Sequence, residues 1–145
     1  MLPKPEPGLV IRYAYLWAGE YQQGREEGVK DRPCVILASK YESQEHALRV
    51  LVLPITHTEP YRPEHTIELS HRVKQHLGMD ENRSWVVLTE SNAFSWPGPD
   101  IRPVQIGGRS GIAYGFLPPR LFTQIAERYT ELEMRQQSLR IQRTE

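Results

Sequence analysis

Short apolar runs of strand length recur through the first three quarters of the chain, and they restrict the fold more than any other sequence feature. Alternate residues from Leu9 to Trp17 are apolar, with Arg12 on the opposite face, which is the period of a half-buried strand. Residues 33–38 are continuously apolar, and residues 48–55 are apolar apart from Arg49, as in strands buried on both faces. Further strands are predicted at residues 66–69, 85–88 and 101–106, the last being the final strand. Consecutive strands joined by short turns predict a strongly bent antiparallel sheet or small barrel.

Two helices are predicted in addition to the strands. Residues 71–77 have the composition of a short helix, and Gly78 stands where a left-handed residue ends it. A second helix begins at Pro118 and Pro119 near the C-terminus. Its apolar residues recur on one face, at Leu121, Ile125, Tyr129 and Leu132. The predicted fold class is therefore mostly β (α+β), with a short inserted helix and a C-terminal amphipathic helix.

Polar stretches are expected to lie outside this framework. Residues 18–31 contain Gly19, Gly24 and Gly28 among polar side chains, which predicts a mobile surface loop. Residues 1–7 and 134–145 are predicted to be flexible. With 145 residues and 39% hydrophobic content, the whole chain, 1–145, is expected to form a single domain.

Charge and cysteine content limit the function classes. The 18 Lys and Arg residues balance 18 Asp and Glu residues, so any nucleic-acid site must be local rather than a global basic field. The lone cysteine, Cys34, has apolar neighbours and is predicted to be a buried thiol. No run approaches the ~20 apolar residues of a membrane span, and the N-terminus lacks a signal-peptide core, so a cytoplasmic protein without membrane contact is expected.

Three segments combine strand ends and turn residues in a distinctive order. The first opens with Gly8-Leu9-Val10-Ile11 and continues to Arg32-Pro33 at the start of an apolar strand. The second is Leu53-Pro54-Ile55-Thr56, and the third runs from Trp85 to Glu90, then through residues 94–96 and 115–118 into the C-terminal helix. Over about residues 8–130, these segments resemble the MazF/PemK family of type II toxin–antitoxin toxins.

The resemblance implies an SH3-like barrel that forms a homodimer, cleaves single-stranded RNA without a metal ion or other cofactor, and is neutralised by a cognate antitoxin protein. It also implies catalytic roles for Arg32, Thr56 and the loop residue Glu27. The sequence departs from the family where relatives carry an acidic residue followed by glutamine. Here Thr89 and Glu90 stand instead, so a carboxylate role falls on Glu90 or is absent.

Metal-independent RNA cleavage uses the neighbouring 2′-hydroxyl as nucleophile, and it needs a base, an acid and donors to the phosphate. The Arg32 guanidinium can give two parallel hydrogen bonds to phosphate oxygens, and Thr56 can donate from a strand end. Glu27 or His57 can then serve as the base. The plainer alternative makes Arg32 a surface ion-pair partner of Asp31 or Glu27, and makes Thr56 an ordinary strand-end residue.

A local RNA groove is predicted from cationic and aromatic side chains, since cations follow the backbone and unpaired bases stack on rings. Its expected members are Arg25, Lys30, Arg32, Arg62 and Phe94, and Glu90 is a further expected substrate-binding residue. The tryptophans Trp17, Trp85 and Trp96 are expected in the core or a dimer interface. The remaining histidines are His46, His65, His71 and His76. They are not spaced from a cysteine as the ligands of a metal ion are, so they are expected to be solvated.

Two alternatives remain open from the sequence. A related barrel of the CcdB type binds and inhibits a protein target such as a topoisomerase, and an inactive family scaffold only binds a partner. The pairing of Arg32-Pro33 with Pro54-Ile55-Thr56 favours the nuclease. The inactive scaffold stays open because Val87 and Thr89 stand where relatives carry an arginine and an acidic residue. Incubation with RNA in chelator separates the nuclease from both alternatives.

Overall fold

The computed structural model describes residues 2–22, 30–106 and 108–143. The strands are β1 (Leu9–Tyr13), β2 (Arg32–Glu42), β3 (Ala47–Thr56), β4 (Thr66–Leu69), β5 (Ser84–Val87), β6 (Glu90–Trp96), β7 (Ile101–Arg102), β8 (Val104–Ile106), β9 (Arg109–Gly111), β10 (Ala113–Phe116) and β11 (Leu139–Gln142). The helices are α1 (Ala18–Gln22), α2 (His71–His76) and α3 (Pro119–Met134), with a 3-10 turn at Pro63–His65.

The main sheet has the strand order β10-β1-β2-β3-β5-β4, and the three N-terminal strands of this set pair antiparallel. It branches at β3: the first half of that strand pairs β6, whereas its last two residues pair β5. A register shift between Ile36 and Ala38 adds a bulge in β2, and bulges bend strands. The predicted mostly-β fold with a bent antiparallel sheet is confirmed.

Apolar residues of β2 are buried on both faces of the sheet, which explains their continuous run in the sequence. Val35 packs into a cluster with Leu53 and with Ile125 of α3. Cys34 packs on the other face with Tyr13 and is fully buried, as predicted. Burial raises the pKa of the Cys34 thiol. The two apolar clusters therefore fix β2 from both sides.

The two predicted helices are present. Ser70 caps α2 by accepting a hydrogen bond from the Val73 N–H at 3.2 Å, and Gly78 follows the helix with φ +69°. Helix α3 buries the face of Ile125, Tyr129 and Leu132 against the sheet. None of the helices within the described ranges is long and apolar enough to span a membrane.

The segment predicted as a mobile loop at residues 18–31 begins with a helix instead. The main-chain N–H of Trp17, just before α1, donates to Glu20 Oε1 at 3.1 Å. A glutamate three residues into a helix commonly reaches back to cap it in this way. Glycine content therefore gave a wrong prediction for residues 18–22, and residues 23–29 lie outside the described part.

The C-terminal prediction of a flexible tail at 134–145 is corrected for residues 139–143. Strand β11 runs parallel to β6, and the side chain of Arg143 beyond it is almost fully buried. Arg143 Nη2 lies 2.9 Å from Asp100 Oδ2, and Nη1 donates to the Ala14 carbonyl at 2.7 Å. Backbone pairing with β6, these polar contacts and one buried apolar residue, Ile141, hold this segment. One apolar residue makes no periodic pattern, so the sequence gave no sign of the strand.

The predicted final strand at residues 101–106 is also different. Pro103 separates β7 from β8, and proline has no N–H to donate to a sheet. Strands β9, β10 and β11 follow in the chain.

Candidate functional site

The register of β2 with β3 brings the first residue of one strand to the last residue of the other. The paired register ends at Cys34 and Pro54, so Arg32 and Thr56 each lie two residues beyond that last pair, at the same end of the two strands. Arg32 itself pairs with Tyr13 of β1, and Thr56 pairs with Trp85 of β5. Arg32 and Thr56 therefore share one edge of the sheet, although they are far apart in the chain.

The guanidinium of Arg32 stacks on an aromatic ring at this edge. Its central carbon lies 4.8 Å from the centre of the Trp17 ring. The Nε atom of Arg32 is buried and has no hydrogen-bond partner. Among the described residues, no carboxylate forms an ion pair with this guanidinium. A half-buried cation with unused donors costs free energy unless an anion satisfies it. This arrangement is suited to a phosphate.

Glu90 lies near Arg32 at the start of β6. Its Oε1 accepts hydrogen bonds from the Ala18 N–H at 2.8 Å and from the Tyr15 hydroxyl at 3.2 Å. Burial raises the pKa of the Glu90 carboxyl, and the charge of Glu20 adds to this effect, whereas the two hydrogen bonds and the charge of Arg32 oppose it. A carboxyl with a raised pKa can exchange a proton nearer to neutral pH.

Because the folded state raises the pKa of Glu90, it binds that proton more tightly than the unfolded chain does. The resulting stability is present below the ordinary pKa of about 4.5 and is lost as the pH rises through the raised value. Glu90→Gln keeps an oxygen acceptor and removes the titration. Across this pH window the wild type should lose stability and Glu90→Gln should not. We therefore expect the free energy of unfolding of Glu90→Gln minus that of the wild type, measured by urea unfolding, to rise with pH. Parallel pH profiles of the two proteins would contradict the assignment.

Two depressions adjoin the Arg32–Thr56 edge. The first, here the Trp17 groove, has a volume of about 600 Å³ and is bordered by Trp17, Thr56, Thr58, Glu59, Pro60, Tyr61, Arg62, His65, Thr66, Val87 and Thr89. The second, here the Lys30 groove, has a volume of about 430 Å³, and Lys30, Arg32 and His57 border it. The stacking of Arg32 on Trp17 connects the two grooves. The predicted site residues are therefore divided between adjoining surfaces.

His57 is held by a network in the Lys30 groove. Its Nδ1 lies 3.0 Å from both the Arg83 carbonyl oxygen and Ser84 Oγ, and its Nε2 lies 3.0 Å from Asp80 Oδ2. The buried Lys74 ammonium donates to Asp80 Oδ1 at 2.8 Å. Although its partial burial acts in the opposite direction, Asp80 has a lowered pKa because of Lys74 and His57. Both ring nitrogens of His57 therefore have internal partners, as Oε1 of Glu90 does.

The prediction that Phe94 stacks on an RNA base is wrong. Phe94 is 1% exposed and stacks on Tyr13 at a centroid distance of 4.6 Å. It belongs to β6, a strand that the sequence pattern did not reveal. Trp85 is also buried, as expected for the core, whereas Trp17 remains half-buried beside Arg32.

The other predicted site residues have different outcomes. Lys30 and Arg62 are exposed, each at a different groove. Glu27 and Arg25 lie outside the described residues, so their roles stay predictions. Sequence reasoning missed Tyr61, which is 99% exposed at the Trp17 groove. The one sequence signal for it is its position between Pro60 and Pro63, which indicates a turn segment whose aromatic ring lies outside the core.

Across residues 2–22, 30–106 and 108–143, no group of three or more His, Cys, Asp or Glu side chains could hold a metal ion. No protein-family model matches the sequence, and no curated protein matches it. Function is therefore inferred from the Arg32–Thr56 edge and the two grooves beside it.

Proposed function

We propose that this chain is a toxin of the MazF/PemK type, a metal-independent endoribonuclease that cleaves single-stranded RNA. The observation that carries the proposal is the guanidinium of Arg32, which lies on Trp17 at an edge shared with Thr56 and has no ion pair within the described ranges. An arginine presents its donors in a planar fork that matches two oxygens of a phosphate. The resemblance of the surrounding segments to this family supports the same reading.

In this proposal, the hydroxyl of Thr56 assists Arg32. Its Oγ1 accepts a hydrogen bond from the Thr58 N–H at 3.1 Å, which leaves the hydroxyl hydrogen available to donate. A phosphate at the edge would accept from the guanidinium of Arg32 and the hydroxyl of Thr56 together. Both interactions strengthen as negative charge builds on the phosphoryl oxygens in the transition state.

The reaction also requires two proton transfers. Glu90, as base, takes the proton of the 2′-hydroxyl while that oxygen bonds to phosphorus and the bond from phosphorus to the 5′-oxygen breaks. The leaving 5′-oxygen takes a proton from an acid, the role for which Glu27 and His57 remain candidates. The products are a 2′,3′-cyclic phosphate and a 5′-hydroxyl.

The proposal extends to partners through the family resemblance. A homodimer is expected to bury more than roughly 1,000 Å² of total surface. A partly disordered, acidic antitoxin would cover the cations Lys30, Arg32 and Arg62, of which Lys30 and Arg62 are exposed. Light scattering at micromolar concentration tests the dimer. A co-purified partner that left these three side chains uncovered would contradict the inhibition model.

Incubation of the purified protein with labelled single-stranded RNA in excess EDTA tests the reaction class. We expect cleavage to continue at its full rate in chelator and to leave a 2′,3′-cyclic phosphate, because the proposed nucleophile belongs to the RNA. A DNA strand of the same sequence should remain intact, as the matched control. Cleavage that stops in EDTA, or products with a free 3′-hydroxyl, would contradict the proposal.

A further inference from the structure

Tyr61 is the most exposed large apolar side chain among the described residues, at 99%. It lies in the segment between β3 and β4, with Pro60 before it and Pro63 two residues after it. Proline restricts φ, so two prolines limit the conformations of this short segment. The ring is therefore presented to solvent by a stiff segment and contributes little to the core.

The surroundings of Tyr61 are those of a binding surface. It borders the Trp17 groove, where Trp17 and Val87 supply apolar area and Thr58 and Thr89 supply hydroxyls. Arg62 lies at the same groove, and its exposed cation can contact a backbone phosphate. Aromatic rings beside cations and hydroxyls are the combination that binds unpaired nucleotides.

The Trp17 groove lies beside Arg32, and this position indicates which kind of ligand the groove would bind. Trp17 borders the groove, while one face of its ring carries the Arg32 guanidinium. Thr56 lies at the groove and, like Arg32, two residues beyond the last β2–β3 pair. A nucleotide whose phosphate contacts Arg32 and Thr56 thus has the groove beside it. The volume of about 600 Å³ falls within the usual range for small-ligand pockets.

We propose that the Trp17 groove is a nucleobase subsite, in which Tyr61 stacks on a base that flanks the scissile phosphate of a single-stranded RNA. This inference rests on the proposed ribonuclease function and adds the residue that holds the substrate. Stacking on an exposed ring tolerates different bases, because every base has a π face. Tyr61 therefore contributes to RNA affinity, and the hydroxyls and Glu59 of the groove meet the edge of the base.

The test measures the affinity of a 2′-O-methyl oligonucleotide, which cannot be cleaved, by fluorescence anisotropy. Tyr61→Ala should weaken binding roughly tenfold, since loss of one base–aromatic stack has that order of effect. Tyr61→Phe keeps the ring and should bind as the wild type does. Tyr41→Ala removes another exposed tyrosine, in β2, and should leave the affinity unchanged.

An abasic oligonucleotide distinguishes stacking from an indirect effect. With the flanking base removed, wild type and Tyr61→Ala should bind with equal affinity. If Tyr61→Ala binds the complete oligonucleotide as tightly as the wild type while the wild type still cleaves RNA, the subsite is wrong and the ribonuclease assignment stands. If the wild-type protein neither binds nor cleaves RNA, both proposals fail, and Tyr61 belongs to an interface with another protein.

Discussion

Arg32→Ala is expected to reduce the rate of RNA cleavage by roughly a hundredfold or more, the usual effect of removing a principal donor to a charged transition state. The guanidinium has no hydrogen-bond partner at Nε and no ion pair among the described residues, so the substitution breaks no such internal interaction there. It removes mainly the stacking of the guanidinium on the Trp17 ring. The protein should therefore remain folded, as checked by circular dichroism and thermal unfolding.

Two further variants separate charge from geometry at this position. Arg32→Lys keeps the positive charge but loses the planar fork, so its cleavage rate should fall between those of wild type and Arg32→Ala. Arg72→Ala removes an exposed arginine on α2 and should cleave as the wild type does. Full activity in a folded Arg32→Ala protein would remove the assigned mechanism. Initial rates on labelled single-stranded RNA provide the comparison.

Arg143→Leu is expected to lower the free energy of unfolding by roughly 3–5 kcal/mol, the typical cost of removing one member of a buried ion pair. The substitution leaves Asp100 buried without the guanidinium that lies 2.9 Å from its carboxylate. It also removes donors from the Ala14 carbonyl and from Asn92 Oδ1. Asn92 Oδ1 keeps its hydrogen bond from the Leu16 N–H, so of these two acceptors the Ala14 carbonyl adds more to the loss.

A surface arginine of the same segment is the control. Arg140 donates to Glu133 at 2.8 Å, but the pair is largely solvent-exposed, so Arg140→Leu should cost less than about 1 kcal/mol. Urea unfolding of both variants measures the difference. If the two substitutions cost the same, the C-terminal segment is not anchored by the Arg143 ion pair.

Local patterns predicted the first three strands because their periodicity follows from burial of their own side chains. Strand β6 was hidden because Ser91 and Asn92 are polar yet fully buried. The Asn92 amide accepts from the Leu16 N–H and donates to the Leu16 carbonyl, so two hydrogen bonds take the place of apolar packing. Such partners lie 76 residues apart, and no window of sequence shows them.

The candidate site was predictable where it depends on the register of neighbouring strands. Arg32 and Thr56 stand at the ends of two consecutive apolar runs, so an antiparallel pairing brings them together. The environments of His57 and Glu90 depend instead on contacts from distant segments. His57 contacts Asp80 and Ser84, and Glu90 contacts Tyr15 and the first residue of α1. The choice of base was therefore open from sequence alone.

The most direct test of the proposed reaction is an RNA oligonucleotide with one 2′-deoxy nucleotide immediately 5′ of the cleaved bond, incubated with wild-type protein in EDTA. We expect no cleavage at that bond, because the attacking 2′-hydroxyl is missing while the phosphate that Arg32 is proposed to contact is unchanged. The same substitution one nucleotide further along should leave cleavage intact. Cleavage of the modified bond at the wild-type rate would contradict the proposed reaction.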